Sequence, residues 1–278
     1  MSGVFKAACV QVNASADLED NIARASRLIA EAAGAGAKLV LTPENTTMIV
    51  RGREATLAKA QPEASHPAIP AFSALSAKLG VWLSIGSLTI RLSEEAAANR
   101  SYLFAPDGSL AARYDKIHMF DVNVPDGQVY RESSTFQRGE DAPIVPLPWG
   151  KLGLTICYDL RFPQLYRALA QAGADFLTVP SAFTRVTGRA HWHTLLRARA
   201  VETGCYVFAA AQCGDHDGGR ETYGHSLIVG PWGEVLAEAN EAPGIILADI
   251  EPARVAEARA MVPAWQLDAP TEEVSQAR

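Results

Sequence analysis

The fold is decided by one stretch, Leu152-Gly-Leu-Thr-Ile-Cys157-Tyr-Asp-Leu-Arg161-Phe-Pro163-Gln-Leu-Tyr-Arg-Ala-Leu-Ala-Gln-Ala172. Residues 152–156 form a short apolar run, which predicts a buried strand that stops at Cys157. Pro163 suits the first turn of a helix, where no backbone N–H is needed, and the helix is predicted to run to Ala172. The stretch therefore predicts a strand, a short turn and a helix, with a cysteine where the strand ends.

The same alternation of short apolar runs and helical periods recurs on both sides of this stretch. Further strands are predicted over residues 5–12, 38–44, 81–90, 144–147, 176–180, 205–212 and 244–250. Helices are predicted over residues 17–33, 67–79, 189–203 and 252–261. The apolar residues within 117–139 follow neither the period of a strand nor that of a helix, which predicts a long loop. Strands that alternate with helices are typical of an α/β fold with sheets inside and helices outside.

Two strand pairs resemble each other in sequence. Residues 101–112 read Ser-Tyr-Leu-Phe-Ala-Pro-Asp-Gly-Ser-Leu-Ala-Ala, and residues 226–237 read Ser-Leu-Ile-Val-Gly-Pro-Trp-Gly-Glu-Val-Leu-Ala. Each predicts a strand, a Pro-x-Gly turn and a second strand, and the repeat indicates two similar halves with a sheet in each. One domain is expected over residues 1–278, with a polar C-terminal tail from about residue 264.

The composition limits the classes of function. The 278 residues include 25 basic and 31 acidic side chains, a formal net charge of −6, with both signs interspersed. That balance argues against a nucleic-acid or anionic-membrane surface. The longest apolar run, 205–211, is too short to span a bilayer, and no export signal begins the chain, so a cytoplasmic protein is expected. The four cysteines are too few for a disulfide scaffold.

Three reactive side chains stand where predicted strands end: Glu44, Lys116 and Cys157. Ligands of α/β folds collect at such strand ends. A thiolate nucleophile needs a proton acceptor and groups that hold the developing oxyanion, which a carboxylate and an ammonium beside one cysteine can supply. Taken singly, each residue also fits a structural interpretation: a solvated loop carboxylate, a surface charge and an inert small hydrophobe.

Three segments carry a family resemblance. They are Thr42-Pro-Glu44-Asn, Tyr114-Asp-Lys116-Ile-His-Met-Phe-Asp121 and Gly153-Leu-Thr-Ile-Cys157-Tyr-Asp-Leu-Arg161-Phe-Pro. In this order and at these separations they resemble the signature segments of the nitrilase, or carbon–nitrogen hydrolase, superfamily. The likeness runs from the first predicted strand to Gln266. The resemblance implies an α-β-β-α four-layer sandwich.

The resemblance also implies a role for each site residue. Cys157 would be the nucleophile, Glu44 the general base and Lys116 the cation that stabilises the tetrahedral oxyanion. The backbone N–H of Tyr158 would be the second oxyanion donor. Glu132 matches a further family glutamate that orients the substrate and supports proton transfer, and a loop carboxylate facing water is its structural alternative. No metal or organic cofactor is implied.

The second half of the chain is similar to one branch of the superfamily, which contains ω-amidase and deaminated-glutathione amidase. Residues 180–188, 190–202, 209–214 and 222–226 carry this likeness. The branch implies a cysteine-dependent amidase that acts on the terminal amide of a small, carboxylate-bearing 2-oxo acid such as deaminated glutathione. The reaction would pass through a thioester and release ammonia.

A substrate carboxylate requires a cation in the pocket, and arginine binds a carboxylate through two parallel hydrogen bonds. Arg161 and Arg185 are the candidate clamps, and the alternative for Arg161 is a structural role, either as a pair with Asp159 or as a cap. Phe183 and Thr187 are candidates to line the same pocket, with core packing as the alternative for both.

Other functions stay open at this point. Within the superfamily they are an ω-amidase acting on 2-oxoglutaramate, a carbamoyl-amide hydrolase and a nitrilase. Outside it, Cys157 would suit a non-catalytic metabolite-binding or redox-sensing protein. His191 and His193 could be a metal pair, but no four-ligand set with zinc spacing accompanies them, so no metal site is expected. By resemblance, a homodimer or larger homo-oligomer is expected.

Overall fold

The computed structural model describes residues 3–124 and 127–267. Their strands are β1 (Phe5–Gln11), β2 (Leu39–Leu41), β3 (Gln61–Pro62), β4 (Trp82–Arg91), β5 (Ala97–Phe104), β6 (Leu110–Asp115), β7 (Asp121–Asn123), β8 (Val129–Arg131), β9 (Ile144–Leu147), β10 (Gly150–Gly153), β11 (Phe176–Thr178), β12 (Tyr206–Ala209), β13 (Cys213–His216), β14 (Arg220–Tyr223), β15 (Leu227–Val229), β16 (Val235–Glu238) and β17 (Gly244–Ile250). Their α-helices are α1 (Leu18–Gly34), α2 (Arg53–Lys59), α3 (Ala68–Leu79), α4 (Pro163–Gln171), α5 (Arg185–Thr203) and α6 (Ala253–Met261). The order repeats the strand–helix alternation that the sequence predicts.

Two sheets with the same strand pattern form the centre of the molecule. The first has the order β17-β1-β2-β4-β5-β6, with β3 paired to β4, and the second has the order β9-β10-β11-β12-β15-β16. In each sheet three neighbouring strands are parallel and the strands that flank them are antiparallel. The similar segments 101–112 and 226–237 form the edge hairpins β5–β6 and β15–β16. The prediction of two similar halves is therefore confirmed.

The alternation of side chains along β1 explains how the layers stack. Ala8 and Val10 belong to the core that the first sheet shares with α1 and α3. Ala7 and Cys9 belong to the core that the first sheet shares with the second sheet, α4 and α5. Because both faces of the central strands are covered, the molecule is an α-β-β-α sandwich, as the family resemblance implies.

The chain leaves the second sheet earlier than predicted. β10 ends at Gly153, whereas the sequence predicts a strand to Ile156. Thr155 turns toward β11, where its N–H donates to Thr178 Oγ1 (3.2 Å) and its hydroxyl donates to the Thr178 carbonyl (2.6 Å). Cys157 therefore follows a segment that crosses toward a neighbouring strand, and not the end of a regular strand.

Helix α5 begins at Arg185, earlier than the predicted start at residue 189. The side chain of Thr184 caps it by accepting a hydrogen bond from the first turn (3.3 Å). Gly188 does not break this turn. A Cβ at Gly188 would lie 2.3 Å from Cβ of Tyr223, so the glycine lets β14 approach the helix closely.

Besides the two-residue strand β3, three longer elements of regular structure are not predicted by the sequence analysis. The predicted loop over 117–139 contains the hairpin β7–β8, so that prediction is wrong in part. Helix α2 and the hairpin β13–β14 lie in segments without a predicted element. All three are short, and a short element leaves too brief a periodic pattern for detection.

The predicted C-terminal tail is described only over residues 264–267. The guanidinium of Arg259 lies 4.3 Å from the centre of the Trp265 ring, and Arg167 Nη2 donates to the Leu267 carbonyl (2.7 Å). Residues 268–278 lie outside the described residues. Among the helices of the described residues, none has the length and apolar character needed to cross a bilayer.

Candidate active site

Cys157 begins a short 3₁₀ turn, and its backbone has a φ of 47°. This left-handed conformation is unfavourable for a residue with a side chain, and such residues cluster at functional sites. The Cys157 N–H donates to the Pro180 carbonyl (2.9 Å). The fully buried Asp159 carboxylate accepts from the Ile156 N–H (2.8 Å) and from the Tyr114 hydroxyl (2.7 Å). These hydrogen bonds hold the turn, and with it the thiol, in place.

Lys116 is buried between two carboxylates. Its Nζ donates to Glu44 Oε1 (2.9 Å) and to both carboxylate oxygens of Glu132 (3.0 and 2.8 Å). Asn99 Nδ2 donates to Glu44 Oε1 (2.9 Å) and to Glu132 Oε1 (3.2 Å). The Phe120 N–H donates to Glu132 Oε2 (2.6 Å). A lysine and an asparagine therefore bridge the same two glutamates.

This network joins the two sheets. Glu44 follows β2 and Lys116 follows β6 of the first sheet, whereas Cys157 follows β10 of the second. The Ala182 N–H donates to Glu44 Oε2 (2.9 Å), and Gln212 Nε2 donates to the Glu44 carbonyl (3.0 Å). Both donors belong to the second half of the chain. Packing of the two sheets therefore sets the position of the Glu44 side chain.

Burial and neighbouring charges set the protonation states. Burial raises the pKa of the Cys157 thiol, and the negative charge of Glu44 raises it further. Burial disfavours ionisation of Glu44, but the Lys116 ammonium and the Arg220 guanidinium outweigh it and hold the pKa of Glu44 below its ordinary value. Burial also disfavours the charge on Lys116, but the carboxylates of Glu132 and Glu44 raise its pKa above the ordinary value. At neutral pH the site holds a neutral thiol, an ionised Glu44 and a charged lysine.

A cavity of about 320 Å³ opens onto this network, and Glu44, Lys116, Glu132 and Cys157 all line it. Its volume lies at the lower end of the range for small-molecule sites, which suits a ligand of metabolite size. The cavity thus holds a thiol that can lose a proton, a carboxylate that can take it and a cation that can hold a negative oxygen. Nucleophilic acyl transfer needs these parts.

Comparison with known proteins gives the family. Residues 6–260 match the family model of the carbon–nitrogen hydrolases. The chain belongs to the carbon–nitrogen hydrolase family. It is 43% identical over 267 residues to the deaminated glutathione amidase of Synechocystis sp. (strain PCC 6803 / GT-S), and the match covers 94% of this chain and 97% of that protein.

Two solved structures are similar to this carbon–nitrogen hydrolase. The NitFhit protein of Caenorhabditis elegans superposes with a TM-score of 0.88 at 37% identity, over 95% of this chain and 65% of that one. Saccharomyces cerevisiae Nit3, a member of branch 10 of the nitrilase superfamily, superposes with a TM-score of 0.84 at 31% identity, over 98% of this chain and 97% of that one. The protein is thus an amidase that hydrolyses carbon–nitrogen bonds other than peptide bonds, and the family resemblance is confirmed.

The predicted substrate-binding residues of this carbon–nitrogen hydrolase separate into two groups. Phe183 and Thr187 line the cavity, as does Tyr158. Arg161 does not line it; its guanidinium lies 5.3 Å from the centre of the Phe183 ring and 5.8 Å from that of Tyr158. Asp159, the alternative partner of Arg161, instead uses its carboxylate to hold the 3₁₀ turn. Arg161 therefore packs against two lining residues from outside the cavity.

Arg185 also lies outside the cavity lining. It is the first residue of α5 and forms ion pairs with Asp215 (2.8 Å) and Glu221 (2.9 Å). Both carboxylates belong to the hairpin β13–β14, so Arg185 fastens that hairpin to the helix. Both arginines lie near the pocket, as their positions in the sequence predict. The tertiary structure, however, determines that two carboxylates neutralise Arg185.

Sequence reasoning missed Asn99 and Arg220, which both border the network. Asn99 is buried in β5 beside two buried alanines, and a lone amide in such a strand was the available signal. Arg220 follows two glycines in a polar segment, where an exposed arginine is the usual outcome. It lines the cavity, and its Nη2 donates to the Ala182 carbonyl (2.8 Å).

A separate cluster of potential metal ligands lies where α5 meets β16. His193, His225 and Glu238 place one ligand atom each within 4.8 Å of one another. Both imidazoles bond to Glu238 Oε1, His193 through Nε2 (2.9 Å) and His225 through Nδ1 (2.8 Å). The three side chains thus satisfy one another, and none of them lines the cavity.

Proposed function

We propose that this protein is a cysteine-dependent amidase that hydrolyses an amide of a small, carboxylate-bearing 2-oxo acid such as deaminated glutathione. The observation that carries the proposal is the buried network of Glu44, Lys116 and Glu132, which lines one cavity together with Cys157. A thiol sensor needs only an accessible cysteine of low pKa, and burial raises the pKa of this one. The 43% identity to a deaminated glutathione amidase supports the substrate class.

The first half of the proposed reaction forms a thioester. Glu44 takes the thiol proton while the Cys157 sulfur attacks the carbonyl carbon of the amide. The resulting oxyanion accepts hydrogen bonds from Lys116 Nζ and from the Tyr158 backbone N–H. The protonated Glu44 then gives its proton to the amide nitrogen, the C–N bond breaks and the amine leaves. The acid half of the substrate stays bonded to sulfur.

The second half releases the acid. A water molecule takes the place of the departed amine, Glu44 removes one of its protons, and its oxygen attacks the thioester carbon. The same two donors hold the second oxyanion. The C–S bond then breaks, and the thiolate of Cys157 recovers its proton from Glu44. Through both halves Glu132 and Asn99 hold Lys116 and Glu44 in position, and the steps need only side chains and water.

The identity of the amine product depends on the substrate. Both amides of deaminated glutathione are secondary, so its hydrolysis releases an amine. A primary amide such as 2-oxoglutaramate releases ammonia. An assay of the proposed function therefore follows both products, with deaminated glutathione, 2-oxoglutaramate, a carbamoyl amino acid and a simple nitrile at one enzyme concentration. A preference for the nitrile or for the carbamoyl compound would contradict the proposal.

The variant Cys157→Ala is expected to abolish amine and ammonia release, because no thioester can form without the sulfur. Its midpoint of thermal unfolding is expected to stay close to that of the wild type. Cys213→Ala is the matched control, since it removes a buried thiol that does not line the cavity. Mass spectrometry of acid-quenched enzyme is expected to find the acid half on Cys157. Turnover by Cys157→Ala would exclude it as the nucleophile.

The proposal extends to a homodimer or larger homo-oligomer in the cytoplasm. Val201 and Trp232 are 58% and 55% exposed, and Gly233, next to Trp232 in sequence, lies close to Val201; exposed apolar side chains of this kind are what interfaces cover. Among the described residues all cysteines are free thiols, which suits a reducing compartment. Sedimentation equilibrium is expected to give a multiple of the 29.7 kDa chain mass, and a monomer at micromolar concentration would contradict this.

A further inference from the structure

Arg220 is held against the wall of the cavity. Its Nη2 donates to the Ala182 carbonyl (2.8 Å), and the Ala182 N–H donates to Glu44 Oε2 (2.9 Å). The guanidinium carbon lies 5.9 Å from the centre of the Tyr130 ring, and both Ala182 and Tyr130 line the cavity. One backbone residue thus connects Arg220 to the glutamate that contacts Lys116.

The hydrogen-bonding capacity of Arg220 is not used up by the protein. Its Nε is buried and has no acceptor within the described part of the chain. None of the ion pairs found there includes Arg220. Guanidinium stays charged and offers five N–H donors, and a buried donor without an acceptor destabilises the protein. The structure therefore leaves a cation and a donor at the cavity wall for an acceptor that the described residues do not supply.

The other arginines near the cavity are in a different situation. Arg185 is neutralised by two carboxylates, and Arg161 lies outside the lining. Three further arginines line the cavity but are exposed, so water screens their charge: Arg51, Arg53 and Arg131. Arg220 is the more enclosed cation, so water screens its charge less.

The charges inside the cavity explain what Arg220 would bind. Glu44 and Glu132 carry negative charge, and Lys116 compensates only one of the two. A substrate carboxylate entering beside them would meet net repulsion without a second cation. Guanidinium matches a carboxylate geometrically, because two of its N–H groups can donate in parallel to the two oxygens.

We infer that Arg220 binds a carboxylate of the substrate and so selects acidic amides over neutral ones. The inference rests on the proposed amidase function and assigns Arg220 as the residue that binds the carboxylate of the substrate. Deaminated glutathione carries one carboxylate on its acid half and one on its amine half. Either would present the same chemistry to Arg220, so the test includes a ligand for each.

The test compares wild type, Arg220→Gln and Arg220→Lys on 2-oxoglutaramate and on pentanamide, which has the same five-carbon chain without the acid and the 2-oxo group. Arg220→Gln is expected to raise KM for 2-oxoglutaramate roughly 10- to 100-fold, the effect of losing a hydrogen bond between charged groups. KM for pentanamide is expected to stay within about twofold, whereas kcat falls by a similar factor for both amides because Arg220 also lowers the pKa of Glu44. The KM of Arg220→Lys for 2-oxoglutaramate is expected to lie between those of the other two enzymes. Arg24→Gln, an exposed arginine on α1, is the surface control.

Product inhibition assigns the carboxylate to one half of the substrate. Loss of inhibition by 2-oxoglutarate in Arg220→Gln supports the inference and assigns the acid half, and loss of inhibition by cysteinylglycine supports it and assigns the amine half. If Arg220 only adjusts Glu44, both amides lose kcat equally, KM is unchanged and the acidic limb of the pH profile moves to higher pH. That result would overturn the inference. If pentanamide is not turned over, an unchanged KM of Arg220→Gln for 2-oxoglutaramate would be sufficient to overturn the inference.

Failure of the inference can be told from failure of the proposed function. If wild-type enzyme hydrolyses none of the 2-oxo acid amides, the proposed function fails. If wild type hydrolyses them and Arg220→Gln keeps the same KM and the same inhibition by both products, only the assignment of Arg220 fails.

Discussion

At the scale of single residues, the site depends on a lysine that is buried with its counterions. Lys116 is 2% exposed and contacts Glu44 and Glu132, which are themselves joined by Asn99. A buried cation is costly unless carboxylates compensate it, and the carboxylates in turn depend on the cation. Lys116, which we propose to stabilise the oxyanion, therefore also stabilises the folded structure of the site.

The variant Lys116→Met is expected to lose both activity and stability. Loss of one oxyanion donor lowers kcat roughly 10²–10³-fold. Removal of one partner from a buried pair lowers the free energy of unfolding by roughly 3–5 kcal/mol at neutral pH. Lys116 is the first of the charges that lower the pKa of Glu44, so without the lysine this pKa rises, protonation relieves the repulsion and the loss is expected to shrink at pH 5. Urea unfolding at pH 7.5 and pH 5 measures both values.

The double variant with Glu132→Gln separates charge from packing in this experiment. It removes one of the two carboxylates that Lys116→Met leaves facing each other, so part of the stability is expected to return at pH 7.5. An equal loss for single and double variants at both pH values would show that packing, and not charge, determines the effect.

At the scale of elements, the segment that carries Glu44 is positioned by a glycine in β4. A Cβ at Gly86 would lie 2.2 Å from the Thr42 carbonyl oxygen, 2.4 Å from the Pro43 carbonyl carbon and 2.4 Å from Pro180 Cβ. Pro43 leads directly to Glu44, and the Pro180 carbonyl accepts from the Cys157 N–H. Strand β4 thus supports the carboxylate and the thiol of the site at the same point.

Gly86→Ala is expected to displace both supporting segments. A methyl group without space costs roughly 1–3 kcal/mol of stability, and a displacement of about 1 Å at a catalytic group costs on the order of 100-fold in rate. Gly34→Ala at the end of α1 is the matched control, because a Cβ there meets nothing within 4 Å. Steady-state kinetics and urea unfolding of both variants test the expectation. Wild-type kcat in Gly86→Ala would show that the segments adjust without moving the site.

At the scale of the whole molecule, two buried histidines make stability depend on pH. Burial lowers the pKa of His66 to about 4 and that of His216 to about 4. His216 Nδ1 bonds to the Ala14 carbonyl (2.7 Å) and Nε2 to the Thr222 hydroxyl (2.6 Å), so β13 is tied to the first half of the chain. Both rings are neutral in the folded protein at neutral pH.

Acid is therefore expected to destabilise the fold before the carboxylates titrate. Between pH 7 and pH 5 the unfolded chain binds protons on these histidines and the folded protein does not, so the free energy of unfolding falls as pH falls. The loss is about 2 kcal/mol for each histidine over that interval. Urea unfolding at pH 7, 6 and 5 measures the slope, which His66→Gln and His216→Gln are each expected to reduce. A slope unchanged in both variants would exclude these residues as its cause.

Several features could be predicted from sequence because their signals are local. The apolar periods give the strand–helix order, and the repeated strand–turn–strand segments give the two halves. Strand ends locate Glu44 and Lys116, and the end of the apolar run 152–156 locates Cys157, although β10 itself ends at Gly153. The predicted bounds of elements are wrong where a contact between residues distant in sequence determines them. Thr155 pairs with Thr178, which shortens β10, and α5 includes Gly188 because β14 packs closely against it.

The sequence by itself determined the α/β order, the two similar halves and the positions of three reactive side chains just after apolar runs, since periodicity and spacing are properties of short stretches. Only the tertiary structure decided that Glu132 and Asn99 join Lys116, and that Arg220 faces the cavity while Arg185 is neutralised elsewhere. The physical reason is that the charge and burial of these groups depend on partners that are distant in sequence. Asn99 and Glu132 are 33 residues apart, and Arg185 and Asp215 are 30 residues apart, so these partners meet only in the folded chain.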